Sequence, residues 1–216
     1  MSSSDSLLKS LQKTLRQNDL RMSHRIFHAF EEVDRQYFVG QYTHMAYTDQ
    51  PLPIPENQTI SAPHMYVLMM ADEIADLREG MDILEIGTGS GYGAALLARA
   101  VHPGKVVSIE RYSKLVDFAK DNLSKTKLDF CNLELIHGDG TNLNLGMTFD
   151  RILVTAAGPT IPPSYATHLR PSGRIVMPLE RNYEQWLAVI HYDGKKPTID
   201  WKFRVRFVPL VGEFAH

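Results

Sequence analysis

Three glycines at every second position, Gly87, Gly89 and Gly91, follow directly on the apolar run that contains Leu84, Glu85 and Ile86. No other feature constrains the fold as much. A short apolar run that ends in glycine reads as a buried strand with a sharp turn at its end. There the backbone must bend and let a ligand press close, and a Cβ would prevent both. Dinucleotide folds space their glycines G-x-G-x-x-G and cradle a pyrophosphate at a helix N-terminus. Here the spacing is G-x-G-x-G, and Glu85 stands just before it. A carboxylate in that place repels a pyrophosphate and attracts an amine or a sulfonium. The expected ligand is S-adenosylmethionine, and a dinucleotide-dependent oxidoreductase is disfavoured.

Around this loop the chain alternates between two periodicities. Strands are expected at Asp82–Ile86, Val106–Ile109, Leu133–His137, Arg151–Thr155, Gly173–Met177, Trp186–His191 and Arg204–Pro209, and helices at Gly91–Ala100, Ser113–Leu123 and Pro163–Leu169. Alternating β and α predicts a doubly wound, Rossmann-like, mostly parallel sheet covered on both faces. The last two strands have no helical pattern between them. The stretch Asp193-Gly194-Lys195-Lys196-Pro197 predicts a turn joining an antiparallel pair. Residues 1–80 read as a helical N-terminal extension with a covering arm, and residues 81–216 as the ligand-binding core. Within the extension, Leu8, Leu11 and Leu15, then Ile26, Phe27, Phe30 and Val33, mark two amphipathic helices. Pro51, Pro53, Pro55 and Pro63 forbid a regular helix between Tyr47 and Pro63. Ser61 is expected to cap a helix that starts at Pro63 and ends near Gly80.

Three successive strand ends carry acids, and in open α/β sheets ligands lie beyond such ends. The first is Glu85 with its glycine loop. The second is Glu110, about 20 residues past the loop, where a carboxylate suits a ribose diol. The third is Asp139, between Gly138 and Gly140, within reach of an adenine amino group. All three are acceptors, which suits an adenosine that carries a cation rather than a diphosphate.

Two further motifs are more specific. One is Gln58-Thr59-Ile60-Ser61-Ala62-Pro63-His64-Met65, placed before the core; the other is Phe207-Val208-Pro209-Leu210-Val211-Gly212. With Tyr47 to Ile54, Gly138-Asp139-Gly140 and Asp150 to Pro159 in support, the chain from about Arg21 to Phe214 resembles the protein-L-isoaspartate (D-aspartate) O-methyltransferases. The resemblance implies a repair enzyme that methylates isoaspartyl residues, with D-aspartyl residues as a further acceptor. It implies that Ser61 is the active-site serine and that Thr59, Ile60, Ser61, Tyr66, Glu85, Glu110, Asp139 and Gly140 contact the cofactor, alongside Gly87, Thr88, Gly89 and Gly91 of the loop. His64 and the segment Val208, Pro209, Leu210, Val211 are implied on the substrate side, the segment through backbone hydrogen bonds to an extended peptide. Position 66 varies among relatives. Pro55-Glu56-Asn57 departs from a segment that is richer in glycine in many members. The alternatives are a methyltransferase of small molecules or RNA, which would share the glycine loop and the acids but lack these two motifs, and a cofactor-binding adaptor, which would be expected to lose the acids or the serine.

The chemistry asks little of the side chains. A carboxylate acceptor is already ionised at neutral pH, its unperturbed pKa being about 4, so no general base is required. Ser61 is expected to orient the acceptor without forming a covalent adduct, helped by N–H groups at the helix start. The bulk properties fit. A formal net charge of −2 does not resemble a nucleic-acid footprint. No stretch approaches the roughly 20 apolar residues of a membrane span, and no histidine spacing suggests a metal site. The single cysteine, Cys131, is expected to be a small buried residue in a reducing compartment. A cytoplasmic monomer without a signal peptide is the resulting expectation.

Overall fold

The structure, a computed structural model, describes residues 2–192 and 196–216. The extension opens with α1 (Ser3–Gln17), started by a reciprocal capping box between Ser2 and Asp5. Next come α2 (His24–Glu32), a small hairpin of β1 (Leu52–Ile54) and β2 (Gln58–Ile60), and α3 (Pro63–Met70). The proline-rich arm is thus an antiparallel hairpin, with Leu52 opposite Ile60. The helix after it is shorter than expected. At Ala71 the backbone turns extended (φ −58°, ψ 151°), and the N–H of Asp72 bonds to the Arg21 carbonyl instead of continuing the helix.

The core follows as β3 (Ile83–Ile86), α4 (Tyr92–Val101), β4 (Val106–Glu110), α5 (Ser113–Lys125), β5 (Leu133–His137), β6 (Phe149–Val154), α6 (Ser164–His168), β7 (Leu169–Arg181), β8 (Glu184–Tyr192) and β9 (Pro197–Val205). They form one sheet in the order β5-β4-β3-β6-β7-β8-β9. The first five strands in that order are parallel, and β8 and β9 join antiparallel. Every residue of β3 and β4 is buried, the pattern of strands covered on both faces. One apolar cluster runs from Leu7, Leu11 and Leu15 of α1 through Phe38 and Ile60 to Leu96 and Val189, joining the extension to one face of the sheet.

The expected turn at Asp193-Gly194-Lys195 lies outside the described residues. The last strand ends at Val205, earlier than expected, and Phe207–Leu210 leaves the sheet. The Phe207 N–H is taken by Gln185 Oε1 at 2.7 Å, and Pro209 pairs with Ala157 beyond the end of β6. Cys131 is exposed rather than buried. It sits in the turn before β5, where its N–H donates to Asp129 Oδ1 at 2.9 Å, and a turn held by its own side chains faces outward.

Candidate active site

The chain runs outward from β3 to β5 and then returns to the other side of β3 as β6. The strand order therefore reverses between β3 and β6, and a crevice opens there. Gly87 and Thr155, the residues that follow these two strands, face each other across it. Thr155 Oγ1 donates to the Gly87 carbonyl at 2.8 Å. All three loop glycines have positive φ. At Gly87 (φ 97°) the demand is double, because a Cβ would lie 2.5 Å from Thr155 Oγ1.

The acids at the strand ends have distinct surroundings. Glu110 Oε2 accepts from the Gly89 N–H at 2.9 Å, and Oε1 accepts from the Tyr112 N–H at 3.0 Å. It braces the loop from the end of β4 and forms part of the crevice wall. Glu85 is 1% exposed. Its Oε2 accepts from Ser108 Oγ at 2.5 Å, and Ser108 in turn meets Thr88 Oγ1 at 2.6 Å. Burial, reinforced by the charge of Glu110 and opposed by the Ser108 bond, pushes the Glu85 carboxyl up to about 8. Asp139 Oδ1 accepts from the N–H and Oγ1 of Thr141 (2.8 and 2.7 Å), and Oδ2 accepts from the Glu213 N–H at 2.9 Å. Burial opposes its charge, yet these bonds and the Arg111 guanidinium hold its carboxyl below the usual range.

Two cavities meet at this end of the sheet. The first runs between the glycine loop and the C-terminal segment, lined by Gly87, Gly89, Glu110, Tyr112, Gly140 and Val208–Val211 among others. The second, of about 690 Å³, is lined by Ser61, His64, Met65, Arg204, Arg206 and Phe207 among others. Thr59, Thr155 and Val208 line both. A group held in one cavity therefore meets a group held in the other at that wall.

Ser61 does not cap α3. The cap position belongs to Ala62, which makes no side-chain cap bond. The first turn is instead served by Asp49, whose Oδ1 accepts from the His64 backbone N–H at 2.9 Å and meets His64 Nδ1 at 2.9 Å. Burial opposes the Asp49 charge, but the His64 bonds and the Arg35 charge outweigh it and keep its carboxyl low. An acid at a helix start is stabilised by the helix dipole, so the His64 N–H is already spent on Asp49. The Ser61 hydroxyl and N–H face the phenol of Tyr66, whose own ionisation burial pushes far up.

Of the residues singled out in the sequence, Thr59, Gly87, Gly89, Glu110, Gly140 and Val208–Val211 lie on the first cavity, with Ser61 and His64 on the second. Glu85 and Tyr66 share a small void beneath the loop with Gly93 and Thr155. Ile60 is buried in the hairpin and Thr88 points inward to Ser108. Gly91 precedes α4 at φ 87°, closely packed on Ala119. Asp139 is occupied by Thr141 and the C-terminal segment. That segment has already used much of its own backbone. Ala157 donates its N–H to the Val208 carbonyl at 2.8 Å, and its carbonyl accepts the Leu210 N–H at 2.7 Å. Those two groups are not free to bind a peptide. Sequence reasoning missed Thr155, Asp49 and Gly93. Thr155 was open to discovery, since it ends a strand by the same rule as the three acids. Asp49 and Gly93 carried no local signal.

A doubly wound sheet with a glycine loop, acids at its strand ends and a second cavity abutting the first defines a Rossmann-like methyltransferase. The comparisons agree and are more specific. The model of the protein-L-isoaspartate(D-aspartate) O-methyltransferase family matches residues 6–215, and the chain belongs to that family. A protein-L-isoaspartate O-methyltransferase of Pyrococcus horikoshii is 43% identical over 196 residues, covering 88% of this chain and 86% of its own. A second from Archaeoglobus fulgidus is 42% identical over 216 residues, covering 98% and 95%. Among solved structures, a Plasmodium falciparum protein described as a putative member, in complex with S-adenosyl-L-homocysteine, superposes with a TM-score of 0.81 at 27% identity, covering 94% of this chain and 97% of its own.

Proposed function

We propose that the protein moves the methyl group of S-adenosylmethionine to the free carboxylate of L-isoaspartyl residues in damaged proteins, with D-aspartyl residues as a further acceptor. The observation that carries this reading is the wall shared by Thr59, Thr155 and Val208, which places a donor cavity and an acceptor cavity in contact.

The residues present fit the donor. The backbone at Gly87 and Gly140 leaves no room for a Cβ, since at Gly140 it would lie 2.5 Å from Ile86 Cγ2. Glu110 stands where a ribose diol needs an acceptor, and Tyr112 and Ile109 offer apolar surface for a base. Asp139, through Thr141 and Glu213, holds the Gly140 turn against the C-terminal segment, and we assign it to the adenine end. Glu85, beneath the loop with Tyr66, suits the cationic end, and Thr88 reaches it through Ser108. Ile60 and Gly91 hold the hairpin and the loop in place. When bound, the cofactor would supply a sulfonium methyl group, to whose carbon the acceptor carboxylate oxygen would bond in line as the C–S bond breaks and its electron pair stays on sulfur.

The protein's own task is to align and to dry the site. Ser61 offers the acceptor carboxylate a neutral donor that orients it without holding back its electrons, and His64 flanks it on the same cavity wall. Well-oriented proximity alone is worth roughly 7–11 kcal/mol of a barrier. Val208–Val211 closes the donor cavity from above, and of this segment Val208 also reaches the acceptor cavity. No helix among the described residues is long and apolar enough to cross a membrane. With a net charge of −2 and one cysteine, we read the protein as a cytoplasmic monomer that acts on proteins and peptides, not on nucleic acid.

The test is transfer of a radiolabelled methyl group to two peptides of one sequence, one with isoaspartate and one with L-aspartate. Base-labile label on the isoaspartyl peptide alone is expected. Cofactor binding without label on either peptide would move the acceptor to another chemical class.

A further inference from the structure

Arg35 is the largest fully buried side chain among the described residues, 2% exposed, and it lies in the N-terminal extension outside both cavities. Its bonding is unusual for a buried cation. Nη1 donates to the carbonyls of Ala46 (2.7 Å) and Thr48 (3.4 Å), and Nη2 donates to those of Gln50 (3.1 Å) and Ser61 (3.2 Å). No carboxylate pairs with it among the described residues, and its Nε has no partner. Asp49 attracts it through space but makes no ion pair with it; burying a charge without a hydrogen-bonded counter-charge is unfavourable, and burial pushes the guanidinium pKa down. A fold that needed only to fill this space would be served by an apolar side chain.

What the four carbonyls share is their position. Ala46, Thr48 and Gln50 bracket Asp49, which holds the His64 ring and backbone N–H. Ser61 is the proposed acceptor-orienting residue itself. Two segments far apart in the chain, 46–50 and Ser61, are therefore gathered by one rigid planar fork, whose five donors no other side chain provides. Ser61 lines the 690 Å³ cavity, as do Pro51, which follows the first segment, and His64, which Asp49 holds. Neither Arg35 nor any of the four residues whose carbonyls it binds lines the donor cavity.

We propose that Arg35 is a positioning residue for methyl transfer: it sets Ser61 directly, and His64 through Asp49, in the geometry the acceptor needs, and takes no part in holding the donor. This rests on the functional reading above. The prediction separates acceptor from donor. A lysine can reach some of the four carbonyls but not all in one plane, and methionine reaches none.

The experiment compares wild type, Arg35→Lys and Arg35→Met in three measurements: kcat and KM for an isoaspartyl peptide, S-adenosylhomocysteine affinity by calorimetry, and residue-resolved amide hydrogen exchange. In Arg35→Met, kcat is expected to fall about 100-fold, the scale of a misplacement of about 1 Å, with Arg35→Lys regaining part of the loss. The ligand Kd is expected to stay within about threefold, since the donor site is untouched. The His64 amide is expected to exchange at least about tenfold faster while the Gly89 amide, held by Glu110, is unchanged. Unchanged kcat in folded variants, or parallel losses of kcat and ligand affinity, would overturn the proposal. If Arg35→Met does not fold, Arg35→Lys decides alone by the same criteria. If wild type labels no isoaspartyl peptide, the functional reading fails, and the exchange of His64 against Gly89 still decides whether Arg35 sets this segment.

Discussion

Ser108 Oγ donates to Glu85 Oε2 at 2.5 Å, joining the ends of two neighbouring strands under the glycine loop. Around this bond the carboxylate shares a small void with Tyr66, Met69, Met70, Leu97 and Leu153. Burial therefore prevails, and Glu85 holds its proton at neutral pH, with its carboxyl raised from 4.5 to about 8.

Stability should fall with pH because of this one residue. Between about 4.5 and about 8 the folded protein keeps a proton that the unfolded chain has lost, so unfolding free energy declines across that interval and levels off above it. Glu85→Gln removes this dependence. Urea unfolding at stepped pH should show the variant gaining on wild type from pH 5 to 8 and holding a constant margin beyond. Parallel curves for the two proteins would contradict the buried, protonated state.

A cationic ligand beside Glu85 favours the ionised carboxylate. At pH 7, binding of S-adenosylmethionine is expected to release close to one proton, and S-adenosylhomocysteine, whose thioether lacks the sulfonium charge, should release less. Calorimetry in two buffers of different ionisation enthalpy reads the proton count. In Glu85→Gln the release should vanish.

Gly93 lies inside α4, where alanine normally adds about 1 kcal/mol of helix stability. Here a Cβ would collide with Glu85 Oε1 and lie 2.9 Å from Tyr66 Cε1. Gly93→Ala should therefore destabilise, by about 1–3 kcal/mol as overpacking does, and weaken cofactor binding. A variant with a higher urea midpoint than wild type would show that the void beneath the loop yields more readily than its packing implies.

Ser61→Ala should cost folding no more than about 1 kcal/mol, because no capping bond is lost and only the contact of its hydroxyl with the Tyr66 phenol goes. Loss of a hydrogen bond to a charged acceptor should lower kcat/KM for an isoaspartyl peptide about tenfold to a hundredfold, with cofactor affinity intact. Thermal melts beside steady-state kinetics separate the two. A large drop in melting temperature would return Ser61 to a structural role.

Asp139→Asn should loosen the C-terminal segment. Asparagine can still accept from Thr141, but its amide N–H₂ would face the Glu213 N–H, donor against donor. The Glu213 and Phe214 amides should exchange faster, while those of β3 and β4 stay protected. The carboxyl is held low in the folded state, so wild type keeps this contribution above the unfolded value of 3.8 and loses it as pH falls through the folded value.

Local patterns made much of this protein legible from its residues alone. The apolar runs of β3 and β4, the alternation of strand and helix, and the glycines at positive φ all follow from what a stretch of a few residues can do with its own backbone and side chains. So does the placement of Glu110 at a strand end, because a parallel sheet brings all such ends to one edge. Tertiary structure decided the rest, wherever a residue's role depends on a partner distant in the chain. Phe207–Leu210 reads as strand by composition, yet Ala157 and Gln185 compete for its backbone and draw it over the crevice. Ser61 before Pro63 reads as a cap, but Asp49 supplies that bond from across the arm. Arg35 carries no local signal, and only packing shows it buried among four carbonyls. A sequence states what each group can bond; which partner reaches it first is settled by the competition among all segments once they are packed together.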